Sequence, residues 1–157
     1  MTPYDSVERQ QLEARMKSGA HWFYWIAALS LVTSVISLMG GTWGFFISLG
    51  ITQFIDGLAL GAAQQLGWGF KAVAFGFDVV AAGLFALFGY FAAKRHPWAF
   101  MVGMGLYALD ALIFILAAHW FGLLFHAFAL YSMFGGYRAC ASLVELDKHA
   151  PPPPAMV

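Results

Sequence analysis

GFKAVAFGFDVVAAGLFALFGYFAAKRHPW, residues 69–98, decides what kind of protein this is. From Phe70 to Ala93 the run is apolar apart from Lys71 and Asp78, and it ends on Lys94-Arg95-His96-Pro97. An α-helix rises about 1.5 Å per residue, so about 20 such residues cross the ~30 Å hydrocarbon core of a bilayer. Comparable runs lie on both sides of it, at 21–39, 43–63, 97–117 and 119–138. Turn chemistry separates them: Gly40-Gly41, Gly67-Trp68-Gly69, and a weak break from Ala117 to Gly122. Trp22, Trp25, Trp43, Trp68, Trp98 and Trp120 fall near the ends of the runs, where an aromatic belt meets the lipid headgroups.

Composition points the same way. The 157 residues are 61% hydrophobic and 10% charged, whereas a soluble domain carries about 25% charged residues. Too little polar surface exists to cover a sphere of this size, and lipid removes that need. The expected fold class is therefore all-α, a polytopic transmembrane helical bundle in a multi-pass membrane protein, with the lipid bilayer as its first partner. Net charge is zero with no basic patch, which argues against nucleic acid. Cys140 is the single cysteine, so no intrachain disulfide, CxxC or c-type haem motif exists.

Residues 1–19 read as a separate polar helix. Thr2 serves as N-cap, Pro3 suits the first helical position, Asp5–Arg9 and Glu13–Lys17 are favourable i,i+4 pairs, and Gly19 is a natural stop. No cleavable signal is expected, because the apolar run starts only near His21. The bundle then occupies 20–142. A polar tail follows at 143–157, with Pro151 to Pro154 extended.

Shifting the chain by 55 residues lays Trp43, Phe45 and Gly50 on Trp98, Phe100 and Gly105. The same shift lays Ala62, Ala63, Gly67, Phe70, Ala72 and Ala74 on Ala117, Ala118, Gly122, Phe125, Ala127 and Ala129. A duplicated helical hairpin is the expectation, with shared Ala, Gly and Phe composition as the alternative, and the duplication favours five spans. Charge favours four. Five spans divide Lys and Arg equally between the two sides. If 43–63 re-enters instead of crossing, Arg9, Arg15, Lys17, Lys94, Arg95, Arg138 and Lys148 share one side and Lys71 is left on the other. Five spans are expected, with four as the alternative.

Each span carries one narrow polar stripe: Ser30, Thr33, Ser34 and Ser37; Gln53 and Asp56; Lys71 and Asp78; Tyr107 and Asp110; His119 and His126. Ionisable groups avoid lipid, so the stripes are expected to face the interior. Counting ~1.5 Å per residue from one face puts Ser30, Asp56, Asp78, Asp110 and His126 all roughly 10–13 Å deep. Asp56, Asp78, Asp110 and His126 are the candidates for binding a proton or cation, with Ser30, Gln53 and Tyr107 lining the site. Buried carboxylates need protonation, a cation or water beside them. No cofactor is predicted. A metal ion held by the same three aspartates and His126 is the alternative, and catalytic residues are unassigned. His21 and His119 read as belt residues, with a haem or metal pair as the sharper alternative. Gly50, Gly57 and Gly61 share a helix face, a pattern for close packing within the chain or in a homo-oligomer.

No Walker A loop, HExxH, GxSxG or Rossmann motif occurs. The leading expectation is a small proton- or cation-linked transporter or channel-like protein. Two alternatives are a non-catalytic subunit of a larger membrane complex and an intramembrane metal-dependent enzyme acting on lipid.

Overall fold

A computed structural model describes residues 3–39, 49–66, 68–116 and 120–149. The described residues form helices and short turns, with no strand. The helices are α1 (Pro3–Leu38), α2 (Gly50–Leu66), α3 (Trp68–Ala93), α4 (Pro97–Leu116) and α5 (Trp120–His149). Among the described residues, three stretches are long and apolar enough to cross a membrane: Ser6–Leu38, Gly69–Ala93 and Pro97–Leu116. The 17 residues of α2 reach only about 25 Å. The 30 residues of α5 are long enough, but polar groups interrupt them at His126, Arg138 and the charged last turns. Away from the charged first turns of α1 and last turns of α5 the outside of the bundle is apolar, with Val73, Val80, Leu109, Leu116, Leu124 and Tyr131 exposed. Water would not tolerate so continuous an apolar surface. The chain is a helical membrane protein.

α1 does not stop at Gly19. It runs unbroken through that residue, because Gly19 is where α1 crosses α5. A Cβ on Gly19 would lie 2.6 Å from the Cα of Gly136. The two backbones touch, and the helical geometry is held by packing where propensity alone would end it. Two further glycines admit aromatic rings: a Cβ on Gly103 would meet the Phe23 ring, and one on Gly89 would meet Phe23 and Tyr24. The core beneath is aromatic, with Phe23 tilted against Phe85, Phe88 and Phe100 at 5.9–6.3 Å. Gly57 and Gly61 are expected at a close helix contact, yet a Cβ on either would meet nothing within 4 Å, so they pack against no described neighbour.

The turn between α3 and α4 is closed by its own hydrogen bonds. The His96 N–H donates to Phe91 O, and the Arg95 N–H donates to Ala92 O. This is the Schellman pattern, which requires a left-handed residue at the position Arg95 occupies with φ 64°. Pro97 then starts α4, where a missing N–H costs nothing. The Arg95 guanidinium reaches Glu13 of α1 and, at 2.9 Å, Asp147 of α5; Arg9 also pairs with Asp147.

These ion pairs fix the helix directions. The start of α1, the α3–α4 turn and the end of α5 lie at one end of the bundle. Five successive crossings would make α1 parallel to α3 and α5 and would put Arg9 and Glu13 opposite Arg95 and Asp147. The observed α1 is antiparallel to both. The reason is visible in α2, whose first residues sit inside the bundle and whose last residue, Leu66, is two positions from the start of α3.

Candidate functional site

α2 begins against a side chain of another helix. The Gly50 N–H donates to Asp110 Oδ2 at 2.7 Å, and the Ile51 N–H donates to Asp110 Oδ1 at 2.8 Å. The first amides of a helix lack intrahelical acceptors and carry the positive end of its dipole, so a buried carboxylate satisfies both needs. Asp110 is thus an N-cap supplied in space instead of in sequence. It lies thirteen residues from Pro97 and six from Leu116, roughly 20 Å and 9 Å along α4. The start of α2 is therefore well away from both described ends of α4.

His126 completes the group. Its Nε2 lies 3.0 Å from Asp110 Oδ2, and its Nδ1 lies 2.8 Å from the carbonyl of Gly122, one turn back on α5. The imidazole is fully buried. Tyr107 stacks on it at 4.2 Å with 14° between planes, and Phe114 covers it at 4.6 Å. Tyr107, Asp110 and Phe114 follow i, i+3, i+7 spacing, which places them on one stripe of α4. Two glycines make room: a Cβ on Gly50 would lie 2.7 Å from the Phe114 ring, and one on Gly122 would lie 2.4 Å from it.

The contacts constrain the proton count. A carbonyl only accepts, so Nδ1 of His126 carries a hydrogen. A lone pair on Nε2 facing a carboxylate would repel it at 3.0 Å. A second hydrogen therefore lies between Nε2 and Oδ2. The pair is imidazolium with carboxylate or imidazole with carboxylic acid, and it is neutral in both forms. Two amide donors and the α2 dipole surround Asp110 and favour its carboxylate form. The faces of Tyr107 and Phe114 suit a cation between them.

Ser30 reaches the same place through Thr52. The Thr52 hydroxyl donates to Leu49 O at 2.8 Å, leaving its oxygen to accept from Ser30 Oγ at 3.3 Å. Both residues are fully buried. Thr33 returns its hydroxyl to the α1 backbone at Leu29 and Ser30. Ser34 is buried, and its hydroxyl has no hydrogen-bond partner among the described residues.

Of the expected site residues, Asp110 and Tyr107 both contact His126, and Ser30 joins through α2. Gln53 is half-buried in the same first turn of α2. Asp78 is fully buried on α3, and it makes none of the contacts just described. Asp56 lies in α2, six residues beyond Gly50 or about 9 Å along the helix; its side chain is outside the described residues, as is His119. Among the described residues no group of three or more His, Cys, Asp and Glu is arranged to hold a metal ion. Sequence reasoning missed Thr52, Gly122 and Phe114. It marks Gly50 only for helix packing, and the signal for a buried helix start was that glycine ahead of the Ile51-Thr52 pair.

These features define a class, a helical membrane protein with a buried His–Asp pair holding a helix end inside the bundle. The chain matches no protein-family model, no curated protein and no solved structure.

Proposed function

We propose that the protein is a small proton-linked membrane transporter in which the Asp110–His126 pair binds the proton. The carrying observation is that both His126 nitrogens face acceptors, at 2.8 and 3.0 Å, in a fully buried position. Loss of the shared proton would leave a lone pair against a carboxylate, so protonation state and the seating of α2 are one equilibrium. A transporter needs such a link between a small charge change and a movable element.

In this proposal α1, α3, α4 and α5 cross the bilayer, and α2 enters from one side without crossing. The ion-paired end then carries Arg9, Arg15, Lys17, Lys94, Arg95, Arg138 and Lys148, with Lys71 at the other, and is cytoplasmic by the positive-inside rule. The repeat fits as well: α2–α3 and α4–α5 are antiparallel hairpins of one ancestry, the first with a shortened outgoing helix. Asp56 and Asp78 serve as further proton or cation sites along the path.

The test is proton flux in proteoliposomes with an internal pH dye and an imposed gradient. His126→Gln and Asp110→Asn should abolish flux above that of empty vesicles, while Tyr131→Phe on the lipid face should retain it. Unchanged flux in both site variants would refute the proposal.

A further inference from the structure

A groove of about 380 Å³ runs between α3 and α4, with the start of α2 along one edge. Leu49, Ile51, Val80, Leu84 and Leu109 are among its walls, and Asp110 is the one ionisable group among its described lining residues. Val80 and Leu109 are 70% and 62% exposed on the apolar outside of the bundle. Leu109 is adjacent in sequence to Asp110, so the mouth opens at the depth of the carboxylate and faces lipid. The groove is within the size range of small-molecule sites. A ligand entering here comes from the bilayer and must be largely apolar.

Charge narrows the class further. Among the described residues no Lys, Arg or His lines the groove, so a cation meets no like charge on its way to the Asp110 carboxylate. Asp110 Oδ1 accepts a single described hydrogen bond, from Ile51, and keeps acceptor capacity on that side. The carboxylate is already neutralised by the proton on the His126 edge. A cation bound beside an intact pair would leave a net positive charge in a low-dielectric place, which is strongly disfavoured.

We infer that this groove admits a small lipophilic monocation from the bilayer and exchanges it for the proton shared by Asp110 and His126. The inference rests on the proton-binding reading above. Charge balances: one positive charge enters, the Nε2 proton passes to water, and the Nδ1 proton stays on the Gly122 carbonyl side of the ring. No covalent bond to the ligand forms or breaks. The cation then occupies the charge partnership that the imidazolium gives up.

The experiment uses the full chain in detergent with tetraphenylphosphonium as the probe. Titration in two buffers of different ionisation enthalpy counts the protons released. Nitrogen-15 resonances of labelled histidine report the His126 imidazolium separately. Saturable binding is expected, with a proton released per cation and affinity falling about tenfold per pH unit in acid, as linkage requires. The imidazolium signal should vanish as the cation saturates. Leu109→Trp, or Leu84→Trp from the opposite wall, should reduce cation affinity at least tenfold and leave the imidazolium signal of the free protein in place. Absence of saturable binding, or binding without proton release, overturns the exchange even if the imidazolium is present; the groove then holds a lipid chain. Absence from the free protein of both the imidazolium signal and the infrared band of a protonated Asp110 carboxyl overturns the proton-binding reading itself.

Discussion

Gly50 donates its backbone N–H to Asp110, so a carboxylate on α4 closes the end of a helix whose first residue lies 60 positions earlier in the chain. The same oxygen faces His126. Three helices therefore meet at one carboxyl group, and removing it breaks a cap and an ion pair together.

Asp110→Ala should accordingly destabilise the bundle by about 3–5 kcal/mol, the range for deleting one partner of a buried pair. Asp110→Asn keeps the shape but trades one acceptor for a donor, and should cost about 1–3 kcal/mol. Thermal unfolding in mild detergent gives both values. A loss below ~1 kcal/mol for Asp110→Ala would mean that the α2 start is not held by this side chain.

Gly19→Ala puts a Cβ 2.6 Å from the Gly136 Cα, with backbone on the far side and no flexible side chain to yield. The α1–α5 crossing must open, at about 1–3 kcal/mol. Gly57→Ala has open space and should gain about 0.5–1 kcal/mol from helix propensity. The opposite signs can be read in one set of melting curves, and equal effects would contradict the packing described.

Arg95 carries both strain and bonds. Its positive φ costs about 1–2 kcal/mol for a residue with a Cβ, while its partly exposed ion pairs return little, because water screens them. Arg95→Ala keeps the strain and loses the pairs. Arg95→Gly loses both. The glycine variant should be the more stable of the two by about 1 kcal/mol, measured by chemical unfolding. The reverse order would exclude a left-handed residue here.

At the same end, the Arg9 and Arg95 guanidiniums hold the Asp147 carboxyl below its ordinary value of 3.8. A carboxyl lowered on folding stabilises the fold above its unfolded pKa, and that contribution is lost as pH falls through the folded pKa. The contact between the α1 start and the α5 end should thus be indifferent to pH from about 5 to 8 and loosen only in strong acid, below about 4. Fluorescence quenching between labels at Ser6 and Lys148 measures it. Asp147→Asn should remove the acid step and leave any other transition in place.

Much of the architecture can be read from hydropathy. The α3 and α4 boundaries follow from the Lys94–Pro97 turn and from apolar length, since both properties are local. Asp110 and His126 fall at one level by residue counting, because depth in a straight helix is a count. What counting cannot supply is direction. Whether the segment after α1 crosses or turns back depends on what waits for its first amides, and Asp110 is far away in sequence. Gly19 misleads for the same reason: a glycine that ends an isolated helix and a glycine that admits another backbone look alike until Gly136 is beside it. Gly57 and Gly61 show the converse, a packing spacing with no described partner.

The position of Asp110 also constrains how the chain is made. Residues 50–66 leave the ribosome before α4 exists, so the first amides of α2 have no carboxylate to receive them during that interval. The N-terminal half is an unfinished object in the membrane, with exposed polar ends, until residues 97–126 have been inserted. Completion of α4 is therefore the step that supplies an acceptor for those amides, and a chain that terminates before Asp110 leaves that helix end open.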